Sequence, residues 1–237
     1  MIIKWEKEYL DLILVPSGLL IMFGYHIRLL YKYLRFPQST VLGFENHCKI
    51  AWVKSIMQID AVSRGSTFSV ISTTISAATF MASISLALAS FIGTWIGNPS
   101  NNQLVSKIIY GDTKPSLTPI KYICTLLCFV IAFASFIQCA RLYVHVNFLL
   151  SMPNTEVPEY CVMDALINAA NFWQLGLRSI YFAINLMMWM FGPIPMFVTS
   201  VGTVSFLHVL DVNKKPLHSF KRTAVVKGTG VAELVTR

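Results

Sequence analysis

The stretch that decides the fold is residues 65–106, GSTFSVISTTISAATFMASISLALASFIGTWIGNPSNNQLVS, in which 42 consecutive residues carry no formal charge. About 20 apolar residues suffice for a helix to cross the ~30 Å hydrocarbon core of a bilayer. The stretch is therefore long enough for a transmembrane helix and part of a loop. We predict the helix over 67–95, before the helix-breaking residues Gly97 and Pro99.

Three further uncharged runs occur along the chain. They contain 16, 19 and 32 residues and lie between Asp11 and Arg28, Lys121 and Arg141, and Arg178 and Asp211. Of the 237 residues, 55% are hydrophobic and only 13% are charged, whereas soluble domains carry about 25% charge. This composition excludes a soluble enzyme domain, a disulfide scaffold and a disordered chain, and it predicts an integral membrane protein.

The predicted fold class is all-α, a polytopic membrane protein with four transmembrane helices. We expect them over 9–31, 67–95 and 120–143, with the fourth beginning near Arg178 and ending before Asp211. The last run would form a helix of ~48 Å, longer than the hydrocarbon core, so we expect a kink at Gly192-Pro193 or a break into two half-spans. Residues 1–211 then form the transmembrane domain, and 212–237 form a basic tail.

The region between the first two spans contains an amphipathic segment near 44–60. We expect Trp52 at head-group depth, with Lys49 and Lys54 directed to water, although a plain loop is the alternative.

The net charge of +8 does not indicate nucleic acid, because basic residues beside apolar spans set topology and meet anionic lipid. With four spans, the two sides of the membrane carry 11 and 8 Lys and Arg residues, which leaves the orientation open. A re-entrant break at Gly192-Pro193 would move the tail to the other side and place 14 Lys and Arg residues on one side and 5 on the other. We expect each half to be too short to cross the membrane.

Catalytic and metal-binding patterns are missing from the sequence. There is no HExxH, GxSxG or glycine-rich phosphate loop, and no span contains paired acids. Cys124 and Cys128 share a helix face, but without acidic or histidine neighbours they make a poor metal site. We therefore expect neither an enzyme nor a bound metal or cofactor.

The second span carries a line of hydroxyl side chains. Their spacing of 3, 4, 3, 4 and 7 places them on one helix face, and we call them the hydroxyl seam: Ser69, Ser72, Ser76, Thr79, Ser83 and Ser90. One interpretation is a close-packing face, which the neighbouring Ala78 and Ala82 favour. The other is the lining of an ion pathway, in which hydroxyl oxygens replace part of an ion's hydration shell.

Other polar residues mark further candidate positions. Arg178 and Asn185 belong to the last span, where Arg178 either reaches the interface or faces the bundle and Asn185 is expected to hydrogen-bond across helices. The acids that could attract cations at a pore mouth are Asp11, Asp60, Asp112 and Asp211. Four spans would place Asp11 and Asp211 at the same membrane face, although Asp11 could simply mark the boundary of its span.

Several short motifs resemble a plant and bacterial membrane family, that of the domain of unknown function numbered 599. The first half of the likeness is carried by Tyr9-Leu10-Asp11, Val15-Pro16, residues 18–26, Trp52-Val53, Met57, Ala78-Thr79 and Met81-Ala82. The second half is carried by Arg141, Val146-Asn147, Pro153, Gly176, Arg178, Tyr181, Ala183, Trp189, Phe191-Gly192-Pro193 and Leu210-Asp211.

Two positions depart from the pattern expected for that family. Ser72-Thr73 stands where an Arg-Asn pair is expected, and Asn185 stands where proline is expected. Both changes would favour cations in a central pathway. They suggest a specialised member similar to a small cation channel of the plant endoplasmic reticulum, which would be calcium-permeable, built from several copies, five being our expectation, and active in defence signalling.

Two function hypotheses follow. In the first, copies of the chain surround an axis and form a cation channel, whose only ligands are permeant cations such as calcium. In the second, the chain is a non-conducting membrane scaffold or adaptor, in which the seam is a packing face and the basic tail docks partners or lipid.

Overall fold

The computed structural model describes residues 7–96, 118–152 and 157–213. Six α-helices account for most of these residues: α1 (Lys7–Arg35), α2 (Val41–Met57), α3 (Gly65–Ile96), α4 (Thr118–Ser151), α5 (Glu159–Trp189) and α6 (Pro193–Asp211). The all-α class is confirmed, and the first three predicted spans correspond to α1, α3 and α4 with longer ends. By length and apolar composition, the described residues contain four helices able to cross a membrane, α1, α3, α4 and α6.

The helices α3, α4 and α5 pack side by side, each antiparallel to the next. Ala82 of α3 clusters with Ala132 and Phe136 of α4, and the Phe136 ring stands edge-on to Trp173 of α5 at 5.4 Å. Gly176 permits this approach, because a Cβ atom there would lie 2.8 Å from the Phe136 ring.

The predicted fourth span is divided into α5 and α6 by a complete reversal, so of the two alternatives expected at Gly192-Pro193 the structure has the break and not the kink. Gly192 adopts a φ of 134°, a conformation that side chains of L residues rarely reach, and Pro193 then begins α6. The helix α6 runs back along α5, since Asn185 accepts a hydrogen bond from the Ser200 hydroxyl at 3.0 Å. Helix α5 also begins at Glu159, well before the predicted start at Arg178.

The helix α1 completes the row and runs parallel to α6. Their close approach occurs at Gly18, where a Cβ atom would lie 2.8 Å from the Ser200 Oγ atom. Further along both helices, the Tyr25 hydroxyl donates to Asp211 at 2.6 Å. The spatial order is therefore α3, α4, α5, α6, α1, with α3 at one edge of the layer.

The predicted amphipathic segment forms α2, whose first turn is capped by the Thr40 side chain, the acceptor of the Gly43 N–H. Its apolar residues Val53, Ile56 and Met57 are buried in a core cluster with residues of α3, α4 and α5, and Trp52 packs against the same cluster. The apolar face of α2 therefore packs against the other helices, and the prediction that it lies against lipid head groups is wrong. Lys54 is exposed, as predicted.

The connection from α2 to α3 is fixed by a buried arginine. Arg64 is 1% exposed, and its guanidinium donates to the carbonyl oxygens of Ile59 and Leu150. Because these bonds join the end of α2 to the end of α4, Arg64 holds three helix ends together.

Candidate functional site

The hydroxyl seam lies on an uncovered face of α3. All six of its residues are exposed, whereas Ile71, Ala78, Ala82 and Ala89 are buried. Each of these buried residues is followed directly by a member of the seam. Consecutive residues of a helix are separated by about 100° around its axis. The Ala78 and Ala82 face packs against α4, so the close-packed face and the hydroxyl face of α3 are distinct.

Four of the six hydroxyl groups of the seam bond to their own helix. Ser76, Thr79 and Ser83 each donate to the carbonyl oxygen four residues earlier, at 2.9–3.0 Å, and Ser90 does the same at 2.9 Å. A hydroxyl that donates inward keeps its acceptor lone pairs outward. These four members therefore present oxygen acceptors over about 21 Å, from Ser76 to Ser90, and the whole seam from Ser69 to Ser90 is about 32 Å long.

The four candidate acids occupy different surroundings. Asp11 is 8% exposed and accepts a hydrogen bond from the Trp189 indole at 3.1 Å. Asp211 is bound by Arg178 and Tyr25, whereas Asp60 is exposed just after α2. Asp112 lies outside the described residues.

Asp11 and Asp211 do not share a membrane face, which corrects the four-span expectation. Asp11 lies near the reversal between α5 and α6, while Asp211 contacts Tyr25, 14 residues further along α1. Fourteen residues of helix correspond to about 21 Å. Because both carboxylates are also held by contacts within the chain, neither offers a free acidic ring.

Arg178 and Asp211 form the principal polar contact between α5 and α6. The Arg178 Nη2 atom lies 2.5 Å from Asp211 Oδ1, and the two side chains are 18% and 16% exposed. The other carboxylate oxygen, Oδ2, accepts the Tyr25 hydroxyl. The pair and Tyr25 thus join α1, α5 and α6. Of the two positions expected for Arg178, the structure has the one that faces the bundle.

Asn185 bonds across helices, as predicted. Its side chain is fully buried, and its Oδ1 atom accepts from Ser200 of α6. Proline at this position would provide no such acceptor, so the asparagine has a structural use in the reversal.

Lys121 belongs to a buried polar contact that sequence reasoning missed. It is 5% exposed, and its ammonium lies 5.1 Å from the centre of the Trp189 ring, whose indole N–H bonds Asp11. The apolar run beginning at Lys121 signals a span boundary, but sequence spacing does not reveal that α1, α4 and α5 converge there.

Within the described ranges, no group of three or more His, Cys, Asp or Glu side chains is placed to hold a metal ion. Cys124 and Cys128 are free thiols and pack in an apolar cluster with Met196.

Fold and composition together define an all-helical integral membrane protein. The family model described as "Protein of unknown function, DUF599" matches residues 13–216. The chain belongs to this family, which confirms the resemblance inferred from its motifs. No curated protein matched the chain, and no solved structure did.

Proposed function

We propose that copies of this chain assemble around an axis with their α3 helices innermost, and that the hydroxyl seam lines a pathway for cations. The observation that carries the proposal is the uncovered row of six hydroxyl residues on the edge helix of the layer. Its length of about 32 Å is close to the thickness of the hydrocarbon core.

The chemistry of the seam suits cations. Hydroxyl oxygens whose hydrogens are used within the helix present only lone pairs, which can replace water molecules around a positive ion. Ser72 and Thr73 are both exposed, so the positions where the family pattern predicts an Arg-Asn pair add hydroxyl groups and no positive charge to this face.

The position of α3 supports the proposed assembly. Its buried face packs against α4, and the opposite side is left to lipid, water or another copy. Six polar side chains gain no favourable contacts from lipid tails, whereas small hydroxyl residues favour close contact between helices. We therefore place the seam between copies. The number of copies, five, the permeant ion, calcium, and the location in the plant endoplasmic reticulum with a role in defence rest on the resemblance to a specialised member of the family.

The acidic mouth of the pathway is assigned to Asp60. Asp11 and Asp211 are engaged within the chain, whereas Asp60 is exposed and lies five residues before α3 begins. A carboxylate contributed by each copy at this end would raise the local cation concentration and repel anions.

Single-channel recording in planar bilayers tests the proposal. The purified protein should give cation-selective currents, and Ser76→Leu should reduce them steeply, because an apolar collar promotes dewetting of a narrow pathway. The matched control is Ala77→Leu, which places the same side chain at the neighbouring exposed position, about 100° around the helix.

The contrary results are equally defined. If Ser76→Leu assembles and conducts like the parent, the pathway is not on this face. If the wild-type protein assembles but carries no current under any applied voltage or calcium gradient, the seam is a packing face and the scaffold function replaces the channel.

A further inference from the structure

An open pocket lies where the ends of α1 and α6 meet the turn before α2. It is shallow and open to solvent, and its lining residues are Tyr25, Arg28, Leu29, Lys32, Ser39, Thr40, His208, Asp211 and Val212. We call it the α1–α6 pocket. The pocket is closed on one side by a backbone contact between Thr40 and Val212.

The charge of the pocket is positive. Arg28 and Lys32 are one helical turn apart on α1, and among the described residues neither side chain forms an ion pair or a hydrogen bond. The lining acid, Asp211, has one carboxylate oxygen on Arg178 and the other on Tyr25. Its charge is thus matched by Arg178, which leaves two uncompensated cations beside the His208 imidazole.

The hydroxyl groups in the wall are not available as donors. Ser39 donates to the carbonyl oxygen of Phe36, and Thr40 donates to that of Pro37. A ligand would therefore be recognised by the guanidinium, the ammonium and the imidazole. These groups suit a compact oxygen anion, and a phosphate group above all.

The position of the pocket selects the source of that phosphate. Arg28 is the first charge after 16 uncharged residues that follow Asp11, and those 17 steps of helix place it about 25 Å from Asp11. This depth is that of a lipid head group. Exposed apolar side chains flank the pocket on both helices, with Ile27 66% and Val209 76% exposed.

We propose that the α1–α6 pocket binds the phosphate of an anionic phospholipid, whose acyl chains lie along the exposed apolar faces of α1 and α6. The site requires neither assembly nor conduction, so it stands or falls separately from the proposed channel. Occupation would bridge the two helix ends and the turn before α2.

Native mass spectrometry of the full-length protein tests the site. Phosphatidic acid is titrated against phosphatidylcholine with the same acyl chains. Wild type should bind phosphatidic acid preferentially, and the double variant Arg28→Gln/Lys32→Gln should bind it at least about tenfold more weakly, because each lost charge-assisted hydrogen bond costs about that factor.

Two controls make the outcome decisive. The variant Arg35→Gln/Lys54→Gln removes the same charge from exposed positions outside the pocket and should keep the wild-type affinity. The exchange Arg28→Lys/Lys32→Arg retains both cations and should retain most of the binding, which excludes a loss of fold as the cause.

Two results would overturn the proposal. Equal losses in the pocket and control variants would mean that only general surface charge attracts the lipid. If inorganic phosphate alone displaces phosphatidic acid completely at equal concentration, the site binds a soluble phosphate and the lipid chains contribute nothing.

Discussion

Replacing Asp211 by asparagine should destabilise the protein strongly, because it leaves Arg178 with its charge and without its partner. The pair lies at 2.5 Å with both side chains less than one-fifth exposed. Removing one member of a buried ion pair costs about 3–5 kcal/mol. Since a part of each side chain still reaches solvent, we expect a smaller loss than this, about 2–3 kcal/mol.

The double variant Arg178→Met/Asp211→Leu separates a lost charge pair from a lost packing contact. Two apolar side chains of similar volume leave no buried charge, so most of the stability should return. Tyr25→Phe removes only the second hydrogen bond to the carboxylate, at 2.6 Å, and should cost about 1.5–3 kcal/mol.

Thermal unfolding in detergent micelles measures these differences. A change of 1 kcal/mol shifts the midpoint by about 2–4 °C for a chain of this size, so Asp211→Asn should unfold about 4–12 °C earlier. Asp60→Asn, at an exposed position, is the matched control and should leave the midpoint unchanged. If Asp211→Asn unfolds at the same temperature as wild type, the carboxylate does not join α1, α5 and α6. Asp211 would then again be a candidate for the acidic mouth of the pathway.

Two further substitutions test the packing. Gly176→Ala should destabilise relative to Gly202→Ala by about 1–3 kcal/mol, since its new Cβ meets the Phe136 ring whereas nothing lies within 4 Å of the second site; equal unfolding midpoints would contradict the tight α4–α5 contact. Arg64→Lys should lower stability by about 2 kcal/mol or more, because one ammonium cannot reproduce the bonds of the guanidinium to two backbone carbonyls, and a wild-type midpoint would show that they contribute little.

Charge patterning predicted much of the fold. The uncharged runs located α1, α3 and α4 to within a few residues at most ends, because a span must exclude charge over the thickness of the bilayer. The periodicity of the hydroxyl residues also predicted that they share a face of α3. The difference between a lining face and a packing face depends on neighbouring copies, which a single chain does not contain.

The helix α5 shows why the rest could not be predicted. Its first half, from Glu159 to Arg178, contains charged and amide residues that indicate a loop or a soluble helix. In the structure α5 lies between α4 and α6, with α2 beside its first half, so many of its residues meet protein and hydropathy no longer reports its position. The pairing of Arg178 with Asp211 joins residues 33 apart, a distance at which sequence spacing carries no information.

The reversal at Gly192 gives a basis for the orientation in the membrane, which the charge count with four spans left open. Four helices are long and apolar enough to cross the membrane, and because α5 lies antiparallel between α4 and α6, we infer that it crosses as a fifth pass. Helix α6 then ends, at Asp211, at the opposite end of the layer from the start of α1. Of the 19 Lys and Arg residues, connectivity along the chain assigns five to the side on which α1 starts, namely those that precede or begin α1, join α3 to α4 or begin α4: Lys4, Lys7, Lys107, Lys114 and Lys121.

The other fourteen belong to the end that carries Arg28, α2 and the tail, which is the strong asymmetry that four spans lacked. Because cytoplasmic segments carry the excess of positive charge, we expect the tail and α2 on the cytosolic side. A cysteine placed after Arg237, in a background lacking the five native cysteines, should be labelled by a membrane-impermeant maleimide only from that side. The same cysteine placed before Met1 should be labelled only from the other side, because an odd number of passes separates the two ends. Labelling of both from one side would restore an even number of passes and remove α5 from the membrane.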